Sequence, residues 1–446
     1  MKQEHGYEPA VKGKIHYLNF PKKVTKGGEQ SSKDEGQKNP EQKNLDKIFP
    51  TVDKEVFTLK PSLPVYFIRP ASIKRAAQFF LENFQNNKHE SDVLYSVKSN
   101  PDRAVLQHLF DSGIKHFDVA SLAEVRLIDE LFGKEAKMYF MHPIKSREAI
   151  FEAYFNFGIR DFVLDSLDEL KKITDVTKNA RDLGLHVRLA VSNSSAMINL
   201  SGKFGILPSK SLALLRKTRA SANRMGICFH VGSQCMDPIE YRNAIMTAKN
   251  VAEKAKVKLD VLDIGGGFPS SYPGMTPPNL RSYFDEIFDT ISQINLDANC
   301  RLWCEPGRAL VAESGSLLVR IEGKKNAMLY LNDGTYGGLF DAGVPNFIYP
   351  ARAIRIRGKI PLSANTTSFG FYGPTCDSMD VMKGPFQLPT NIAEGDYIEI
   401  GQLGAYSRSI RTEFNGFDKN LQIEVCDEPL VSMYQEEDLI EQSIVG

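Results

Sequence analysis

From about residue 70 to residue 310 the chain alternates short apolar runs with longer amphipathic ones. The short runs are "DVLYSVK", "KHFDVA", "KMYFMH", "DFVLDS", "HVRLAVS", "GICFHVG", "LDVLDIG" and "RLWCEP". Each is strand-length and rich in β-branched or aromatic residues. Helical patterns such as "SLAEVRLIDELFG" and "SLDELKKITDVTKNARDLG" lie between them. In the second, Leu167, Leu170 and Ile173 recur at helical spacing, and Gly184 is the expected stop. Parallel strands can be joined only by a crossover, so this alternation predicts a parallel sheet. Eight units of this kind fit a (β/α)8 barrel over residues 71–310. A doubly wound α/β sheet is the alternative, and the count of eight favours the barrel.

The rhythm stops near residue 312. "GSLLVRIEGKK", "AMLYLNDGTYGG", "GDYIEIGQLGAY" and "LQIEVCDE" are strands and turns without long helical periodicity. They predict a second, β-rich domain, a barrel or sandwich, built from residues 46–70 and 311–435, with "PVYFIRP" joining from the N-terminal side. Residues 1–45 are rich in Lys, Gln, Glu, Gly and Ser. They lack the apolar surface to order themselves and are expected to form a disordered tail. Residues 436–446 are expected to be a C-terminal tail.

A chain of 446 residues exceeds what one core usually serves. Its 55 basic and 55 acidic residues cancel, so nothing argues for nucleic acid or an acidic membrane as partner. No apolar run is long enough to span a bilayer and no apolar leader follows the N-terminus. Six sparse cysteines, none in a C-x-x-C pair, argue against a disulfide framework and a metal site, and point to the reducing cytoplasm.

In a barrel of this kind chemistry gathers where the strands end. Those positions hold Lys98, Asp118, His142, Arg188, His230, Ser233, the run Gly265-Gly266-Gly267, Glu305, Gly307 and Arg308. A lysine closing an apolar run is either solvated or held inside for a purpose, since a buried ammonium is costly. Three consecutive glycines make either a tight turn or a backbone cradle for an anion. No G-x-x-x-x-G-K-[ST] is present. A lysine beside an anion site suggests pyridoxal 5'-phosphate, which needs an amine for its Schiff base, a phosphate site and a group facing its pyridine nitrogen. Glu305 is the candidate for the nitrogen and His230 for stacking on the ring; a structural ion pair and a core histidine are the alternatives.

The motifs "YSVKSNP", "FDVASLAEV", "KFGI", "HVGSQ", "LDIGGGFP", "EPGRALVAESG", "YGPTCDSMD" and "GAYSRSIRTEFNGF" stand here in one order. Together they resemble the fold-type III pyridoxal-phosphate decarboxylases of basic amino acids, and most of all those acting on ornithine. The resemblance implies that Lys98 carries the cofactor, Glu305 faces the ring nitrogen and His230 stacks on the ring. It surrounds the phosphate with Ser233, Gly265, Gly266, Gly267, Gly307, Arg308 and Tyr406. Asp118, Glu124 and Arg188 would support the lysine and ring. It implies a homodimer in which "GPTCDSMD" enters the partner's barrel. There Cys376 would return a proton to the α-carbon, and Asp377, with Asp341 and Tyr336, would receive the substrate's distal ammonium. Lys203 and Asp380 would pair across that interface. The implied reaction is L-ornithine to putrescine. L-lysine, one methylene longer, is a plausible second substrate. "CDS" rather than "CES" argues against diaminopimelate, and a catalytically inactive binding homologue is the rival of another class.

Overall fold

A computed structural model describes residues 49–191, 196–198, 202–294 and 296–434. The expected tails at 1–45 and 436–446 lie outside the described residues.

The first strand, β1 (Val65–Ile68), leads into the helix Pro70–Asn83, where proline occupies the first turn and needs no donor. Next come β2 (Ser91–Ser96), β3 (His116–Val119), β4 (Lys137–Phe140), β5 (Asp161–Leu164), β6 (Gly184–Arg188), β7 (Ala196–Ile198), β8 (Arg224–Cys228), β9 (Ser233–Cys235), β10 (Val261–Asp263) and β11 (Arg301–Cys304). Among the described residues, β2, β3, β4, β5, β6, β8, β10 and β11 close into a parallel barrel. These are the eight runs read from the sequence, and they decide the choice against an open sheet. β7 and β9 form a separate antiparallel ribbon.

The connecting helices start where short polar side chains cap them. Ser121 Oγ accepts from the Glu124 amide at 3.3 Å, and Ser166 Oγ from the Glu169 amide at 3.2 Å. One helix ends earlier than its pattern suggests. It covers Leu167–Val176, and Thr177 turns its hydroxyl back onto the Ile173 carbonyl at 2.8 Å. Lys178 and Asn179 then take left-handed backbone angles. Gly184 does not stop this helix; it opens β6, where a Cβ would strike the Asp161 carboxylate.

Beyond the barrel lie β12 (Gly315–Lys325), β13 (Met328–Leu331), β14 (Ala351–Ile354), β15 (Thr366–Tyr372), β16 (Val381–Pro389), β17 (Tyr397–Ile400) and β18 (Leu421–Glu424). They form one mixed sheet in the order β14-β17-β12-β13-β15-β16. β1 joins it, antiparallel to β12 and parallel to β18, so "PVYFIRP" does belong to this sheet. Leu317, Val319, Ile321, Phe369, Phe371, Ile398 and Ile400 are in its main apolar core. No helix among the described residues is long and apolar enough to cross a membrane.

Charge ties the start of the helix Pro70–Asn83 into this sheet. Arg69, directly after β1, donates to Glu399 of β17 at 2.6 Å and to Ser316 of β12 at 2.9 Å. Arg352 of β14 reaches the other Glu399 oxygen at 2.6 Å. Glu399 is fully buried, so its charge depends on those two guanidinium groups. Glu399→Gln is expected to cost about 3–5 kcal/mol of stability, because it leaves Arg69 buried without its counter-ion. Urea unfolding of the variant against wild type measures this directly.

Candidate active site

Lys98 is not the last residue of its strand. β2 ends at Ser96, and Lys98 sits in a 3-10 turn, Val97–Ser99. The turn lifts the side chain off the sheet, and 42% of it stays accessible. Its Nζ lies 3.1 Å from Asp118 Oδ2, which also accepts from Ser96 Oγ at 2.7 Å. β2 and β3 pair Ser96 with Asp118, so barrel register alone sets this carboxylate beside the lysine. Burial would lower the Lys98 pKa, but Asp118, Tyr406 and Glu305 outweigh it and hold it above the ordinary lysine value.

Glu305 follows β11, and its amide donates to the Gly265 carbonyl at 2.8 Å. Burial, then Asp263 and Asp118, push its pKa well above the usual carboxyl range. Asp263, fully buried at the end of β10, is pushed up to about 6 by burial, against the Gly265 amide that donates to its Oδ1 at 2.9 Å. Burial and the neighbouring Asp263 thus favour the neutral form of Glu305. His230 accepts the Gly232 amide on Nδ1 at 3.0 Å. Desolvation first, then Arg188 and Lys98, lower its pKa far below the ordinary value, so the ring is neutral and flat faces are available for stacking. Glu124 accepts the Ala120 amide at 2.6 Å and is pushed up to about 7, chiefly by burial.

The glycine run is a close-approach loop. Gly265 and Gly267 have φ of 67° and 111°, and a Cβ on either would collide with the chain leaving β8. Gly307 packs on Ser99, and Arg308 beside it is 4% exposed. Arg308 Nη1 donates to Tyr272 Oη at 2.8 Å and Nη2 to Asp341 Oδ2 at 3.1 Å. Its guanidinium lies 5.2 Å from the Phe347 ring and 4.9 Å from the Tyr406 ring. Arg308 Nε is buried with no acceptor among the described residues. A phosphate would supply the acceptor that this nitrogen lacks, a partly accessible lysine lies in the same barrel mouth, and a buried carboxyl can answer a pyridine nitrogen. These residues fit pyridoxal phosphate.

The remaining expected residues divide. Arg188, at the end of β6, lies 5.7 Å from the Phe204 ring. Ser233 opens β9, paired with Ile198. The Tyr406 amide donates to the Ser99 carbonyl at 2.9 Å, tying the second domain to the Lys98 turn. Tyr336 donates its hydroxyl to Asp377. Cys376 is exposed, with its amide on Asn415 at 3.0 Å. Asp341, in the short turn Phe340–Gly343, is set against Arg308. Asp380 is 2% exposed and, within its own chain, accepts the amides of Thr335 and Thr375 and the Thr375 hydroxyl. Tyr272 and Asp263 were not singled out from the sequence. Asp263 carried a signal, a carboxylate inside the apolar run "LDVLDIG"; Tyr272, in a loop, carried none.

Residues 70–312 match the family model described as "Pyridoxal-dependent decarboxylase, pyridoxal binding domain". The chain is 31% identical over 382 residues to the lysine/ornithine decarboxylase of Selenomonas ruminantium, covering 83% of this chain and 92% of that one. It is 31% identical over 380 residues to the ornithine decarboxylase of Caenorhabditis elegans, covering 78% and 86%. The structure of the Vibrio vulnificus lysine/ornithine decarboxylase complexed with putrescine superposes with a TM-score of 0.70 at 27% identity, covering 84% of this chain and 97% of that one. The chain belongs to the pyridoxal-dependent decarboxylases. It is an enzyme of that family, a pyridoxal-phosphate-dependent decarboxylase of basic amino acids.

Asp341 gives a direct test of the phosphate side. Asp341→Asn removes one of Arg308's two anchors, and the pyridoxal phosphate Kd should rise about tenfold. The KM for amino acid at saturating cofactor should move much less. Fluorescence titration with the cofactor, beside steady-state kinetics, separates the two.

Proposed function

We propose that the chain decarboxylates L-ornithine to putrescine, with L-lysine as a second, weaker substrate, and that it works as a cytoplasmic homodimer with shared sites. The observation that carries the reading is the state of Asp377. Its carboxylate is held below the usual range by the Met379 amide at 2.9 Å and then by the Tyr336 hydroxyl. It is therefore an anion beside an exposed thiol, Cys376, on one loop of the second domain. Asp341, the other carboxylate expected here, has its charge balanced by Arg308. One uncommitted anion is what a single distal ammonium requires.

The parts divide the work. Bound cofactor supplies an electron-accepting ring for the pair left behind by CO₂. Lys98 provides the amine that holds its aldehyde, and Asp118 keeps that amine in position. Glu305 would face the ring nitrogen, with its neutral form favoured by burial and then by Asp263. Neutral His230 covers the ring face, and Arg308 with the glycine loop takes the phosphate. Cys376 delivers one proton to the α-carbon, in place of the lost carboxylate. Because Cys376 and Asp377 make their hydrogen bonds within their own domain, they remain free to reach a second barrel, which supports the shared site.

A panel of ornithine, lysine, arginine and diaminopimelate with CO₂ detection tests the substrate; faster turnover of any of the others than of ornithine would displace the reading. Asp377→Asn is expected to raise the KM for ornithine about ten- to a hundredfold and to leave the cofactor spectrum unchanged, since the amide keeps the volume and loses the charge. A Lys98→Ala chain mixed with an Asp377→Ala chain should regain about a quarter of wild-type activity, because half the dimers are mixed and each has one whole site. No recovery after proven subunit exchange would mean that each site is built within one chain.

A further inference from the structure

Arg308 sits in a helix of only four residues, Arg308–Val311, which has few backbone bonds of its own to hold it. The segment Glu428–Tyr434, the last of the described residues, supplies outside support. Glu428 pairs with Arg75 of the helix Pro70–Asn83 at 2.5 Å, and the Tyr434 ring meets Phe79 of the same helix edge-on at 5.3 Å. The Tyr434 hydroxyl then donates to the carbonyl of Ala309, the residue after Arg308, at 2.7 Å. Glu313, in the 3-10 turn that continues this helix, accepts the Met433 amide at 2.5 Å and the Ser432 hydroxyl at 2.6 Å. Ala309, Glu313 and Tyr434 are all buried.

The same segment reaches Arg308 from a second side. Gln402, also buried, donates from Nε2 to the Val431 carbonyl at 3.3 Å and to the Ser271 carbonyl at 3.0 Å. Ser271 directly precedes Tyr272, whose hydroxyl accepts from Arg308 Nη1. One residue earlier, Ser270 exchanges two bonds with Gln234, the neighbour of Ser233. Its amide reaches Gln234 Oε1 at 3.0 Å, and its carbonyl accepts from Gln234 Nε2. Leu430 closes over Gly401, where a Cβ would come within 3.2 Å of it. An apolar ring alone would anchor a chain end. Here the polar contacts fall on the neighbours of one arginine and of its tyrosine partner.

We propose that the segment Leu430–Tyr434 is a clasp for the cofactor's phosphate site, with Tyr434 as a positioning residue that fixes the turn from which Arg308 takes the phosphate. This rests on the reading above in which Arg308 takes the phosphate. Tyr434 acts through Arg308 and not on the cofactor itself.

The test is a fluorescence titration of the cofactor-free enzyme with pyridoxal phosphate, for wild type, Tyr434→Phe, Asp341→Asn and the double variant. Phenylalanine keeps the ring against Phe79 and removes only the hydroxyl. The Kd of Tyr434→Phe should rise about three- to tenfold. At saturating cofactor, kcat and the KM for amino acid should change far less than the Kd. The double variant should lose less than the product of the two single losses, because both changes act through Arg308. A Tyr434→Phe enzyme with a lower Tm and a wild-type Kd would make the segment a packed chain end and overturn the proposal; losses that multiply in full would overturn it too. A wild type that binds no pyridoxal phosphate overturns the cofactor reading, and this inference with it. Should Tyr434→Phe not fold, hydrogen exchange on the wild type decides. A clasp that tightens cofactor binding is tightened by the cofactor in return. Loading with pyridoxal phosphate should therefore slow exchange of the Met433 amide more than that of the edge strand β16. Equal slowing, or none, overturns the proposal.

Discussion

The contact on which the rest depends is the 3.1 Å pair between Lys98 Nζ and Asp118 Oδ2. An amine that will bind an aldehyde has to be kept near one place without being locked in. Asp118, 3% exposed and anchored by Ser96, supplies a fixed negative point; Lys98, on a turn and partly accessible, supplies the reach. The pairing exists because β2 and β3 are neighbours in register, and their register is stable because a closed parallel barrel has no free edge to slip along. Closing the barrel therefore also builds the first element of the site.

The carboxyls around that amine have different charges because their surroundings differ. Asp118 has a cation beside it. The Glu305 pKa is raised by burial and then by Asp263, and that of Asp263 chiefly by burial. Asp377, out on its loop, has amide and hydroxyl donors and stays ionised. Carboxyls in one site thus differ in charge because they differ in burial and partners. Arg308 joins the barrel to the second domain: Tyr272 and Asp341 accept from its two terminal nitrogens, the rings of Phe347 and Tyr406 lie against its guanidinium, and Nε is buried with no acceptor among the described residues.

The barrel was legible because each strand is a continuous apolar run and each run ends in a polar residue of distinct chemistry. The strand-end positions carried most of the site for the same reason: Lys98, Asp118, His230, Glu305 and Arg308 are anomalies against an apolar background. Contacts made across long sequence distances were not legible. Nothing in "LFDAGVPNF" announces that Asp341 will meet Arg308, 33 residues away, or that Asp380 will accept the amide of Thr335, 45 residues away. The early end of the helix at Val176 was hidden because Thr177 is an ordinary helix residue in a pattern and a terminator only through its hydroxyl. His186 was quoted within a strand, yet its burial beside Asp161 depends on Gly226 of the neighbouring strand, which only register brings opposite it.

The claim that organises all of this is that Lys98, and no other lysine, holds the cofactor. Borohydride reduction of the enzyme loaded with pyridoxal phosphate, followed by peptide mapping, tests it most directly. The account predicts one stoichiometric phosphopyridoxyl label, on Lys98, and none in Lys98→Ala. A label on Lys145, the fully buried lysine whose pKa burial lowers to about 8, or on any other lysine, would contradict it.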